Sequence, residues 1–420
     1  MDPIERSSSG FQYLWLGLAV TFAEQTQKSR LPAGLYAIGL GGVAIGLTEF
    51  AIAGLLPIVA HDFHVSTAKS GVLVSGYAAT VAVGGVFLTG LLTKLDRKKT
   101  LIGVMFFFVL GNLLSALAHS FALMLLGRCI SALCHGAFFG IGAVVAVNLV
   151  SRERRSTAIS IMFGGITVAN VLGVPFGAWI GQRYGWRAAL MSIVVIGLCA
   201  LVGLAWFLPN KLGHGDSSHK IPLKTELLVF RNKQVWLSLA MTVFGFGGMF
   251  GAYTYIVFTL EDVSKFAVST VPSLLLLFGV GVFVGNFFGG KLADWKLNRA
   301  LSIEMLLLTI VLFGFSLTAH NKICTVIALF LMGALGFAQS AALQMRVMHY
   351  AGEAPAIASG ANITSFNLGN ALGAWLGGWL ISLNLGYSSP LWGGGIITGI
   401  ALLAFGLSFI TGRHHNSWLE

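Results

Sequence analysis

Charged residues are scarce in this chain: 26 Lys and Arg and 15 Asp and Glu among 420 residues, 10% in all. A soluble domain carries roughly 25%, so the composition excludes an ordinary water-soluble globule. Cysteine is rarer still, at four. Cys129, Cys134, Cys199 and Cys324 all lie inside apolar runs, without the spacing of a metal cage or a disulfide framework. They read as small packing residues. The pairs His61 with His64 and His414 with His415 read as solvated, and no metal site is expected. Motifs of catalysis and energy coupling are missing too. The sequence has no Gly-x-x-x-x-Gly-Lys-Ser/Thr loop, which argues against direct ATP drive. It has no metalloprotease helix motif and no serine nucleophile elbow, so neither an enzyme nor a bound cofactor is expected.

Apolar residues make up 56% of the chain, and glycine contributes 54 positions. Runs of about 20 apolar residues, enough to cross ~30 Å of hydrocarbon, recur throughout. Small residues allow close helix packing in lipid, where no hydrophobic effect drives helices together. The breaks between runs predict an all-α membrane protein with twelve transmembrane helices. They lie near 34–60, 70–93, 100–118, 121–149, 156–182 and 188–208, then near 234–259, 269–290, 301–319, 322–345, 355–382 and 389–411. The polar stretch 209–233 reads as a linker between six-helix bundles at 34–208 and 234–411. Residues 1–33 form an extension whose Phe11 to Val20 run is too short to span; it reads as a surface helix or a dispensable tail. Asp2 and Glu5 ahead of that run argue against a cleaved signal peptide. Residues 412–420 are a tail.

The net charge of +11 points to nucleic acid only if the chain is soluble. With both termini cytoplasmic, 20 basic residues fall on the cytoplasmic side and 5 on the other, a strong positive-inside bias. The charge therefore sets topology and meets anionic lipid, and no nucleic-acid partner is needed. The halves also repeat at an offset of 200 residues: Asn170-Val-Leu-Gly173 returns as Asn370-Ala-Leu-Gly373, and Gly90 and Leu92 as Gly290 and Leu292. A duplicated six-helix unit places a substrate site between the halves near the midplane.

Several segments resemble a known family. They are Thr48-Glu49-Phe50 with Gly54-Leu-Leu-Pro57, Arg128 leading to His135-Gly-Ala-Phe-Phe-Gly140, and Gly173-Val-Pro175. Gly185-Trp186-Arg187, Gly290-Lys-Leu-Ala-Asp294, Leu343-Gln-Met-Arg346 and Phe366-Asn-Leu-Gly-Asn370 add to them. Over roughly 35–411 the chain resembles the major facilitator superfamily, and within it the drug:proton antiporter type group that includes sugar, purine and drug exporters. The resemblance implies a bacterial inner membrane, a small-molecule substrate exchanged for protons, and a cytoplasmic latch at Asp294 with Lys296 and Arg299. The first-half copy departs from the pattern: Lys94 stands where the acid belongs, and the acid falls at Asp96.

Glu49 is the most informative residue, because an ionised carboxylate in hydrocarbon is costly and usually functional. It reads as a proton or substrate site, with a structural hydrogen bond as the alternative. Arg128 either biases the protonation of Glu49 or snorkels to the interface. His135, two turns further along α-helical geometry, either binds a proton or bonds a neighbouring helix. Asn170, Gly173 and Pro175 mark a break in span five, a hinge or a plain kink. Asn362, Asn367 and Asn370 make span eleven unusually polar, for a substrate or for interhelical bonds. Tyr253, Tyr255, Gln339 and Gln344 are further pocket candidates.

The reading is a monomeric secondary exporter that moves a sugar, nucleobase, nucleoside or drug outward against inward proton flow. An uncoupled facilitator or proton-coupled importer of the same fold is the alternative, and a membrane sensor is the rival from another class. The topology is testable by reporter fusion: a reporter active only in the cytoplasm is expected to work after Glu420 and within 209–233, and to fail within 383–388.

Overall fold

In the computed structural model, residues 31–92, 95–151, 154–210, 228–352 and 355–411 are described. Most of the extension, linker and tail expected above, and Lys94, lie outside them. The described chain is nearly all helix. The first six helices are α1 (Ala33–Asp62), α2 (Val72–Leu92), α3 (Arg97–Ala116), α4 (Phe121–Asn148), α5 and α6 (Trp186–Phe207). Helix α5 runs Arg155–Val168, passes through a π-helical turn at Ala169–Gly173, and continues as Val174–Tyr184. In the second six, α7 is Lys233–Thr254. The helix Val271–Thr318 breaks at Lys296 into α8 (271–295) and α9 (297–318). Then come α10 (Lys322–Tyr350), α11 (Pro355–Ser382) and α12 (Ser389–Thr411). Among the described residues, nine helical segments are long and apolar enough to cross a membrane, one of them containing both α8 and α9.

The outer surface fits a lipid solvent. Phe87, Leu91, Trp206 and Leu317 are more than 70% exposed, whereas a soluble monomer rarely exposes large contiguous apolar patches. Packing inside relies on glycine. A Cβ on Gly285 would stand 2.0 Å from the carbonyl oxygen of Ala334, and one on Gly373 2.0 Å from that of Gly247. Backbones therefore touch between α8 and α10 and between α11 and α7.

The beginning of α1 lies against the end of α6, where Gly34 meets Leu208. Gln234, at the start of α7, binds Ser408 near the end of α12. The two six-helix bundles meet along α2 with α11 and α5 with α8. At the end distant from residues 31 and 411 they are tied directly. Gln182 Nε2 donates to the Val268 carbonyl at 2.9 Å, and the Thr67 and Tyr387 hydroxyls lie 3.4 Å apart. The Tyr255 ring sits between Gly71 and Gly378 while its hydroxyl donates to Ala374 O at 3.0 Å.

Two expectations are corrected. No loop separates spans eight and nine: helix continues on both sides of the single non-helical residue Lys296. Asp294 and Arg299 are thus exposed residues of helix ends, with no ion pair among the described residues. No proline and no run of turn residues follows Gly290 to force a longer loop, and solvated charges at a helix end cost little. Arg346, just beyond span ten as drawn from the sequence, is 2% exposed within α10. There it donates to Asn298 and Ser408 and lies 5.1 Å from the Tyr350 ring centre. A long apolar helix carries it inward, and neighbouring side chains supply the acceptors that water would have given.

The glycine contacts predict a sharp contrast. Gly373→Ala should destabilise the detergent-solubilised protein by about 1–3 kcal/mol, the range for overpacking. Gly399→Ala, with open space around its Cβ, should leave thermal unfolding unchanged or raise its midpoint slightly.

Candidate functional site

Glu49 stands in the middle of α1 and is 8% exposed. Its Oε1 accepts a hydrogen bond at 3.2 Å from Asn370 Nδ2 on α11. The two bundles are thus joined by a carboxylate–amide contact deep in the apolar layer. One residue earlier, the Thr48 hydroxyl donates to Ala44 O at 3.0 Å, with Asn112 Oδ1 of α3 equally near.

Arg128 is 1% exposed, which removes the snorkelling alternative. Its Nε donates to the Leu73 carbonyl at 2.7 Å and one terminal nitrogen to the Thr48 carbonyl at 3.1 Å. The other terminal nitrogen has no partner. The guanidinium centre lies 4.7 Å from the Tyr77 ring centre, a cation–π arrangement. Tyr77 Oη is 3.2 Å from His135 Nδ1, and the imidazole packs against Phe139 at 5.3 Å. Arg128 and His135 are therefore joined through Tyr77. The same guanidinium fixes the turn of α1 that carries Glu49.

Phe50 places α1 against an aromatic cluster of the second bundle. Its ring centre is 5.8 Å from that of Phe250 and 6.3 Å from that of Phe337. Phe246 adds contacts to Phe337 at 5.4 Å and Phe366 at 4.9 Å.

The pocket candidates divide by what their polar atoms do. Asn367 Oδ1, Asn370 Oδ1, Gln339 Oε1 and Tyr253 Oη are buried without a partner. Such atoms require water or a solute. Gln344 and Asn362 are engaged within the second bundle: Asn362 accepts from Thr242 at 2.6 Å and donates to Gln344 at 2.7 Å, and Gln344 donates to Ser359 at 2.6 Å. Tyr255 lies at the far end between the bundles. In the first bundle, Asn170 Oδ1 is also unpartnered and belongs to the π-helical turn that ends at Gly173, just before Pro175. Proline lacks the N–H needed to continue the ladder, and π-turns form where that ladder is broken. A Cβ on Gly279 of α8 would stand 2.7 Å from Val171 of this turn, so the break lies on the line where the bundles meet. Asp96 instead caps α3, accepting from the Lys99 backbone at 2.9 Å.

A cavity of about 390 Å³ between α1, α5 and α6 is walled by Leu47, Phe176, Ile193 and other apolar side chains. It does not include Glu49, and its exposed Leu172 and Phe176 turn it toward lipid. Among the described residues no group of three or more His, Cys, Asp or Glu could hold a metal.

Sequence reasoning missed Tyr77 and Asn112, which carry no signal beyond their residue type. It also missed Glu304, a second buried acid on α9, because a span drawn from 301 leaves position 304 near an interface.

Two helical bundles with an apolar outer surface and a buried carboxylate where they meet are the architecture of a membrane-spanning protein. Residues 38–365 match the profile of the Major Facilitator Superfamily, and the chain belongs to that family. It is 41% identical over 379 residues to the inner membrane transport protein YdhP of Escherichia coli K12, covering 90% of this chain and 96% of the relative. A chloramphenicol resistance protein of Streptomyces lividans is 27% identical over 376 residues, covering 89% and 95%. Among solved structures, a bacterial homolog of the human lysosomal transporter Spinster, inward-facing and occupied, superimposes with a TM-score of 0.69 at 16% identity, covering 90% and 96%.

The shared role of Tyr77 predicts graded effects. Tyr77→Phe removes the hydroxyl at His135 but keeps the ring beneath Arg128, and should cost about 1 kcal/mol in thermal unfolding. Tyr77→Leu loses both and should cost more, by about 0.5–2 kcal/mol.

Proposed function

We propose that the protein is a proton-coupled exporter of a small organic molecule working by alternating access, with Glu49 as its proton-carrying group. The observation that carries this reading is the Glu49–Asn370 hydrogen bond between the bundles. Removal from water favours a neutral Glu49, whereas a nearby fixed cation favours the carboxylate. Arg128, held at the Thr48 carbonyl, is that cation. Hydrogen bonds to an ionised acceptor are stronger than neutral ones, so protonation weakens a contact between the bundles. Proton binding and the relative position of the bundles are then parts of one equilibrium.

In the proposed orientation both termini are cytoplasmic and the end tied by Gln182, Thr67 and Tyr255 faces outward. Substrate enters from the cytoplasm and meets the unpartnered atoms of Asn367, Asn370, Gln339 and Tyr253 beside the Phe246, Phe250 and Phe337 rings. Amide and hydroxyl groups with aromatic faces suit a flat, partly apolar solute such as a nucleobase or an aromatic drug. The name of the Streptomyces relative supports outward transport of such compounds.

In everted vesicles with an imposed acid-inside gradient, a transported compound from a panel of pentoses, purines, nucleosides, chloramphenicol and lipophilic cations should dissipate the gradient. Glu49→Gln should abolish that response. Asn370→Ala should reduce the rate about tenfold, on the scale of one hydrogen bond to a charged group. Labelled compound crossing without proton movement in the intact protein would assign an uncoupled facilitator instead.

A further inference from the structure

A second carboxyl lies alone in the other bundle. Glu304 on α9 is 3% exposed, and neither of its carboxyl oxygens has a hydrogen-bond partner. The buried residues around it on the helix are apolar. Leu301 and Met305 pack in a cluster with Leu343, Ala342 and Ala401, and Leu308 packs in another with Leu329 and Met332.

The helices packed against this part of the chain are α10, α12 and α7. Helix α12 carries no ionisable side chain. On α7 the ionisable groups are Lys233 at its first residue and Tyr253 near its end. On α10 they are Lys322 and Cys324 at one end and Arg346, His349 and Tyr350 at the other. Arg346 is committed to Asn298 and Ser408, and Glu304 makes no ion pair among the described residues. Along its own chain, Lys291, Asp294, Lys296 and Arg299 lie at the helix break.

An ionised carboxylate without donors in this setting is far costlier than a neutral acid, which leaves only dipoles unmatched. The surroundings are nevertheless not wholly apolar. Gln339 Oε1 and Met305 Cε both approach Gly245, at 3.0 and 2.9 Å from where its Cβ would stand. Gln339 thus stands at the level of the residue next to Glu304. Its Oε1, the adjacent Ser340 Oγ and Arg346 Nε are all buried without partners. Each of these groups has capacity for a further partner within about two helical turns of Glu304.

We propose that Glu304 is a second proton-carrying carboxyl, uncharged in this state and ionised in another, so that each bundle holds its own titrating acid. The proposal deepens the proton-coupled reading and rests on it for the direction of proton flow. In the second state a donor must reach Glu304, and the unmatched Arg346 Nε, two turns beyond Gln339, is the charged donor on the neighbouring helix. Glu49 and Glu304 then load separately, because they belong to different bundles and share no hydrogen bond.

The test uses the full-length protein in liposomes and infrared difference spectra recorded across pH steps. Wild type and Glu49→Gln should both show a protonated-carboxyl C=O band that titrates and is absent from Glu304→Gln. A pH jump should move about one proton fewer per protein in Glu304→Gln. Glu304→Asp, which keeps the carboxyl, should restore a shifted band and the missing proton, and it serves if the glutamine variant does not fold. A spectrum of Glu304→Gln identical to wild type would overturn the proposal. So would a band that is lost in the variant but never titrates in the wild type, since that marks a fixed structural acid. If Glu49→Gln keeps proton-driven transport while the Glu304 band titrates as expected, the Glu49 reading falls and this one stands.

Discussion

The cost of holding charge away from water governs this structure. Glu49 lies on a helix enclosed almost entirely by others and Arg128 on one that also reaches the outer surface, and each is retained only because neighbouring elements supply partners. Arg128 has two carbonyls and a tyrosine face; Glu49 has one amide from the opposite bundle. In the proposed mechanism that single amide makes the interface between bundles sensitive to one proton. Were Asn370 apolar, the acid would have to find its partner within the first bundle, and its protonation would then report nothing about the position of the second.

The remaining architecture serves this constraint. Glycine lets backbones approach until a Cβ would collide, as at Gly285 and Gly373. Each bundle is thereby closely packed, as the proposed movement of one on the other requires. The break before Pro175 and the non-helical Lys296 concentrate irregular backbone at two places, one of them on the interface itself. Contacts at the far end are small and varied: an amide on a carbonyl, two hydroxyls and a tyrosine between glycines. Such contacts can be exchanged for water at modest cost, which suits the proposed alternating access.

The limits of sequence reasoning here have particular causes. Glu49 was legible because nothing near it in the chain could solvate a charge. Glu304 obeys the same physics but was hidden by an uncertainty of a few residues in where α9 begins. Arg346 was left just outside span ten because a basic residue usually ends an apolar run; Asn298 and Ser408, 48 and 62 residues away, hold it buried within the helix. Tyr77 had no signal at all, since its role exists only when α2 and α4 are side by side. Among the polar residues of span eleven, residue type could not separate Asn362, saturated by Thr242 and Gln344, from Asn367 and Asn370, which retain unmatched oxygens.

By itself the sequence determined the solvent of this protein, its succession of spanning helices and the acid that apolar surroundings make conspicuous. These follow from local composition and length, which the bilayer reads one segment at a time. Only the tertiary structure decided which polar atoms are spent on one another and which remain available, and that Glu49 finds its partner across the interface between bundles. Hydrogen bonds within a helix are a property of the chain, whereas partners 321 residues apart exist only once the helices have packed.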